Sequence, residues 1–239
     1  MRGFTHWLLG STVLIALALT GCQSGSSKQD SATSWKRGYP KHWWAEQNVD
    51  PGKSWEILPH QAATGEVILS KRHELGLLSN FAATPFAFRG KTYASMEGFW
   101  QAMKFPEGEE DPRNKDKRVT WPWTRAQVEQ MTAFEAKRAG DVASKNMKTM
   151  DINWVSFEGK RMTYRTSEKG DHYALILEAT REKLRQNPPV KDALMATGHL
   201  RLRPDHHQGP NPPPAWRYYE IWEQLRSELR FNAEQTGEM

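Results

Sequence analysis

The chain has 239 residues, 38% of them hydrophobic and 26% charged, with a formal net charge of +5 and one cysteine. That length supports one domain with a full core, and the single thiol excludes a disulfide scaffold or a Cys-based metal cluster. Lys and Arg alternate with Glu and Asp and form no basic stripe, so general nucleic-acid binding is not expected.

The first element is an apolar run, Trp7–Leu19, behind a short segment carrying Arg2. Crossing a bilayer takes roughly 20 apolar residues, so this run has the length of a secretory signal and not of a membrane span. It ends in Leu19-Thr20-Gly21-Cys22, which resembles a bacterial lipobox. That resemblance implies that residues 1–21 are a lipoprotein signal peptide and that Cys22 is lipidated. Each buried CH₂ of an acyl chain adds about 0.8 kcal/mol of membrane affinity. Gln23, not Asp, follows Cys22. In a cell with two membranes the expected location is therefore the outer one, facing the periplasm.

Residues 22–34 are rich in Ser, Gly, Lys and Gln and read as a flexible tether. Residues 35–65 are a Trp-rich lead-in, expected to be irregular and to pack through its rings. A domain is expected over residues 66–232. Glu66–Ser70 is a strand candidate. Phe86–Phe88 and Lys91–Tyr93 flank Arg89-Gly90 as a hairpin, with Gly90 taking positive φ. Ser95 caps a helix from Met96 to about Phe105, stopped by Pro106. Glu107–Asp116 reads as loop. Thr124–Ala139 is predicted helical, starting at Thr124 or Arg125 and closed by Gly140. Trp154–Arg165 holds a second hairpin around Glu158-Gly159. Asp171–Asn187 is an amphipathic helix ended by Pro188-Pro189, and Val190–Thr197 is a short helix closed by Gly198. The proline-rich segment Arg203–Ala215 is irregular, and Trp216–Arg230 is helical. Helices outnumber the short, local strands, so the class is α+β, mostly α.

The helix from Met96 carries the chemistry. At roughly 100° per residue, Glu97, Gln101 and Lys104 form one polar stripe, with Met96, Phe99, Trp100 and Met103 beside it. A carboxylate two turns from an amine, next to large aromatics, can serve as an acid/base with a nucleophile. The same spacing equally describes a solvated helix face held by weak side-chain pairs.

Several blocks decide between those readings: Leu78-Ser79-Asn80-Phe81, Pro85-Phe86, Gly90-Lys91-Thr92-Tyr93, Met96-Glu97, and Gln101-Ala102-Met103-Lys104-Phe105. Together they resemble the signature of the NADAR (YbiA-like) superfamily. Ala136–Gly140, Ala179–Leu184 and Leu194–Gly198 continue the match in order. The resemblance implies a glycosidase that hydrolyses the bond between a ribose anomeric carbon and an amine nitrogen, in ADP-ribosyl or phosphoribosyl substrates. It implies no cofactor. Lys104 matches the lysine that forms a Schiff base with the opened ribose, which requires a neutral amine. Glu97 matches the proton-shuttling carboxylate, and Asn80 a position that holds sugar hydroxyls. Gln101 lies on the same stripe, Trp100 is placed to stack on a base, and Lys137-Arg138 offers Arg138 as a phosphate contact.

Four departures set this chain apart. Gly98 stands where the signature has His, and Asp141 where a basic residue follows the Gly. The segment Trp154–Asp171 is longer. The family's acidic, Trp-Gly-containing loop has no recognisable counterpart; Arg203–Trp216 takes its place, where Asp205 or Trp216 is a candidate substitute and neither is assigned. The alternative reading is therefore a non-catalytic envelope lipoprotein that binds a nucleotide or ADP-ribose. Adjacent His206 and His207 point apart in extended chain and lack a third ligand, so no metal is expected.

Overall fold

Ser95 starts the central helix of the computed structural model, which describes residues 34–237. Its side chain accepts the Gly98 N–H (2.9 Å) and donates to the Met131 carbonyl (2.8 Å), so one hydroxyl caps the helix and ties it to the next layer. This helix, α1, spans Met96–Ala102, and all seven residues are buried. Residues 103–105 then tighten into i+3 bonds, with the Lys104 N–H on the Gln101 carbonyl (3.1 Å) and the Phe105 N–H on the Ala102 carbonyl (2.9 Å). The α-helix thus ends three residues before the expected Phe105, and that tighter turn sets the direction of Lys104.

The described residues of the unit ending at Arg37 form a 3₁₀ turn, Ser34–Lys36. The second unit, Gly38–Met239, holds β1 (Glu66–Ile68), β2 (Phe86–Phe88), β3 (Lys91–Tyr93), α1, α2 (Pro112–Lys115), α3 (Arg125–Glu129) and α4 (Ala133–Thr149). β4 (Trp154–Phe157), β5 (Lys160–Thr163), α5 (Asp171–Gln186), α6 (Pro188–Ala196), β6 (Arg201–Arg203) and α7 (Tyr218–Thr236) follow. The class is α+β, mostly α, with three two-stranded sheets among the described residues. Two are the expected hairpins. Arg89 and Gly90 (φ 47° and 76°), and Glu158 and Gly159 (φ 50° and 75°), all take positive φ, as a two-residue turn of matching twist requires. The third pairs β1 in parallel with β6, Val67 opposite Leu202. Its second strand is only three residues long, with two arginines flanking one apolar side chain.

Three sequence expectations are corrected. The helix expected over Thr124–Ala139 is two helices. It breaks where Glu129 and Met131 turn their carbonyls to the Ala94 N–H (3.0 Å) and the Ser95 hydroxyl. Gly140 does not close a helix; it lies inside α4. Pro188 and Pro189 open α6, where a missing N–H costs nothing, instead of ending α5. In addition, the charged segment 107–116 contains the short helix α2, capped by Asp111. There Arg113, 0% exposed, pairs with Asp111 (2.6 Å) and donates to the Met103 carbonyl (3.0 Å) and Ser156 Oγ. The residue preceding Lys104 is therefore pinned from below.

The core has two lobes around α1. Phe86, Phe88, Tyr93, Phe99 and Phe157 stack or meet edge to face, with Tyr93 and Phe99 centroids 4.9 Å apart. On the other side Ala136, Ala139 and Ala143 of α4 pack on Ala102 and Phe105, small residues that bring α4 close to α1. Trp43 and Trp222 are fully enclosed, and their indole N–H groups reach Glu74 Oε1 (2.7 Å) and the Leu78 carbonyl (2.6 Å).

Lys183 on α5 is also fully buried, donating to the Ser79 carbonyl (3.0 Å). Burial pushes its pKa from 10.5 down to about 7. Because the folded value is depressed, the cost of burying the charge is complete below about pH 7 and fades as pH rises towards 10.5. Lys183→Met should therefore raise stability at pH 6, by on the order of 3 kcal/mol, and much less at pH 10. Denaturant titrations at the two pH values check this; equal effects would contradict it.

Candidate active site

Glu97 and Lys104 line one cavity of about 490 Å³. Both are enclosed, Glu97 8% and Lys104 4% exposed. Asn80, Trp100 and Gln101 line the same cavity. Its wall opposite α1 comes from α4, through Phe134, Lys137, Asp141 and Ser144. Tyr164, Arg165 and Trp216 close it on another side. Five of the six substrate-site residues expected from sequence therefore meet at one place.

The sixth does not. Arg138 is exposed and absent from the lining. Successive helical residues are about 100° apart, so Lys137, in line with Phe134, Asp141 and Ser144, faces the cavity and Arg138 faces away. Lys137 itself is paired with Asp141 (2.8 Å).

Within the cavity, Gln101 Nε2 donates to Glu97 Oε1 (2.8 Å), and Lys104 Nζ donates to Ser144 Oγ (3.0 Å). Ser144 in turn donates to the Gly140 carbonyl (2.8 Å). Burial raises the Glu97 pKa, and the Gln101 hydrogen bond and the Lys104 charge only partly oppose this. Lys104 Nζ also lies 5.4 Å from the Tyr164 ring centre. His172 packs at 4.9 Å against Trp100, its pKa pushed down to about 4 by burial and then by Lys104, so the imidazole is neutral. A carboxyl whose burial favours the protonated form thus shares a cleft with an amine, the pairing that protonates a leaving group while a nucleophile attacks.

Two glycines make this geometry. A Cβ on Gly140 would fall 1.9 Å from Gln101 Oε1, so the amide of Gln101 lies flat on bare backbone. Gln101 Oε1 is a buried acceptor with no hydrogen-bond partner there. A Cβ on Gly98 would fall 2.6 Å from the Met131 carbonyl and 2.9 Å from that of Val128. Here α1 rests directly on the C-terminal end of α3, which leaves no room for the histidine of the family signature. Alanine normally stabilises a helix by about 1 kcal/mol over glycine, yet Gly98→Ala should destabilise this protein by on the order of 2 kcal/mol through overpacking. A thermal melt decides the sign, and an unchanged or higher Tm would contradict the packing.

Sequence reasoning missed Lys71, Ser144, Tyr164 and Arg165. Lys71 sits between an ion pair with Asp205 and the Phe81 ring, 5.1 Å from its centre. Arg165 lies over Tyr164 (5.2 Å) and Trp216 (5.4 Å). Ser144 stands seven residues after Lys137 on the same face of α4, a spacing visible in the sequence once that face is chosen. Asp205, 2% exposed, does not line the cavity. Burial would raise its pKa, but His206 and Lys71 hold it below the usual range. Trp216 does line the cavity.

No family model matches the chain, and no curated protein matches it. Among solved structures, the NMR structure of the E. coli protein YbiA matches with 21% identity and a TM-score of 0.43, covering 72% of this chain and 90% of that one. The chain is similar to YbiA.

Proposed function

We propose that this protein is a hydrolase of the bond between ribose and an amine nitrogen, acting on an ADP-ribosyl or phosphoribosyl substrate. The observation that carries the reading is the enclosure of Glu97 and Lys104 in one cavity. A solvated helix face, the competing reading of the same spacing, would leave both side chains in water.

In the proposed reaction the C1–O4′ bond of the N-riboside breaks to give an iminium at C1, the Lys104 amine adds there once it has lost its ammonium proton, and the proton that Nζ sheds on forming the new bond passes to O4′. Glu97, whose burial favours the protonated form, gives its proton to the departing nitrogen, and the C–N bond to the leaving amine breaks. What remains is a Schiff base between C1 and Nζ. The Glu97 carboxylate then takes a proton from water, which adds to C1 and releases the sugar and Lys104. Ser144 positions Nζ, Gln101 orients the carboxyl, and Asn80 faces the sugar hydroxyls. No cofactor is required.

One observation favours the second reading, a binding module without turnover. Asp205 is engaged by Lys71 and His206, so the segment replacing the family's acidic loop offers no carboxylate to the cavity. Incubation with ADP-ribosylated guanine and with a ribosylated pyrimidine amine separates the two. The hydrolase yields free amine and reducing sugar in equal amounts. Binding without product establishes the module and overturns the hydrolase.

We further propose that Cys22, which lies with the rest of residues 1–33 outside the described residues, anchors the chain to the outer membrane, facing the periplasm. Palmitate labelling should mark the wild type and vanish in Cys22→Ala, which should also leave the membrane fraction. Continued attachment of that variant would contradict the anchor.

A further inference from the structure

The cavity has an enclosed polar floor and an aromatic mouth. Glu97, Gln101 and Lys104 at the floor are each no more than 8% exposed, whereas Trp55 and Phe134 at the rim are 39% and 52% exposed. Phe134 meets Phe81 edge to face at 5.2 Å and Trp55 at 6.4 Å, so three rings stand together at the opening. Large apolar rings left this open beside a polar cleft need an explanation, because water contact gains them nothing. All three also line the cavity, so the patch is continuous with the site.

Trp55 is held there deliberately. It belongs to the lead-in, ahead of every block that resembles the family. Residues 55–57 run antiparallel to 205–207: the His207 N–H donates to the Trp55 carbonyl (3.0 Å), the Ile57 N–H donates to the Asp205 carbonyl (2.8 Å), and Glu56 bridges His206. The segment that replaces the family's C-terminal loop thus serves as the strand against which Trp55 is mounted.

We infer that Trp55, Phe81 and Phe134 form a clamp for the planar heterocycle of a nucleotide-type ligand whose ribose sits on the polar floor. The inference rests on the ribosyl-amine reading for the sugar's position. Glu97, Gln101 and Lys104 close the inner end of the cavity, so a heterocycle attached to a sugar seated on them extends outwards, where the rings stand. Flat aromatic faces suit such a group because every base has a π-face, and stacking does not depend on which base it is.

Two ligands that differ only by the base test this in calorimetry with the full chain: AMP and ribose 5-phosphate. The wild type should bind AMP more tightly. Trp55→Ala and Phe134→Ala should each weaken AMP roughly 5- to 100-fold, as expected for one lost stack, and change ribose 5-phosphate by less than about twofold. Trp55→Phe should retain most of the AMP affinity. Equal weakening of both ligands would mean a structural role, and it would overturn the clamp. So would unchanged AMP affinity, or a wild type that binds AMP no better than ribose 5-phosphate. A failed hydrolase reading looks different: no product forms with any N-riboside, while the preference for AMP and its loss in Trp55→Ala remain.

Discussion

Lys104→Ala is expected to abolish turnover, with kcat falling on the order of 10⁴- to 10⁶-fold, the scale seen when an enzyme loses its nucleophile. Ligand affinity should change only a few-fold, because Asn80, Trp100 and the aromatic mouth are untouched. Lys104→Arg should be equally inactive although it keeps the charge, since a guanidinium never becomes the neutral nucleophile that the reaction needs. An electrostatic role for Lys104 predicts the opposite for arginine, so the pair of variants separates the two roles. A spectroscopic readout accompanies the kinetics. The Lys104 charge helps to lower the His172 pKa, so removing it should move the His172 titration, followed by NMR, upwards from about 4. Full activity in Lys104→Ala would leave the mechanism without a nucleophile.

Glu97→Gln should lower kcat by roughly 10²- to 10⁴-fold, the usual contribution of a positioned acid/base, while making the protein more stable. Burial raises the Glu97 pKa above 4.5. Its stabilising contribution is therefore complete below pH 4.5 and is lost as pH rises through the folded value. Glutamine fills the same space with no charge to bury and escapes that loss. Its melting temperature should exceed that of the wild type at pH 8 and match it near pH 4. Wild-type kcat should fall as pH rises through the same folded value, because the acid that protonates the leaving nitrogen disappears. The variant should lack that limb. A variant less stable at pH 8 would show that the carboxylate is well accommodated, contrary to the burial argument.

The local signals of the fold were legible because they are chemically specific. Arg89-Gly90 and Glu158-Gly159 each supplied the positive φ of a tight hairpin, and Ser95 supplied a cap that the backbone of α1 uses directly. Signals that depend on a distant partner were not legible. Gly140 carries the residue type of a helix stop, yet its bare backbone answers to Gln101, thirty-nine positions earlier in the chain. β6 could not be recognised from three residues whose pairing partner is β1.

The site divides in the same way. The floor lies on one helix and its following turn, so the spacing of Glu97, Gln101 and Lys104 displayed it in the sequence. Choosing Arg138 over Lys137 was a question of helix phase, which adjacent basic residues cannot resolve by themselves. Lys71, Trp55 and the adjacent pair Tyr164 and Arg165 arrive from three separate segments and carry no shared spacing. Gly98 is a packing requirement set by the Met131 carbonyl, a partner thirty-three positions later in the chain.

Hydrolysis by this protein depends on an amine and a buried carboxyl acting together in one water-sheltered cleft. Borohydride reduction during turnover, followed by peptide mass spectrometry, tests it most directly. The account predicts a reduced ribosyl adduct on Lys104, lost in Lys104→Ala and changed in amount in Glu97→Gln. Turnover that continues under borohydride with no adduct on Lys104 would contradict it.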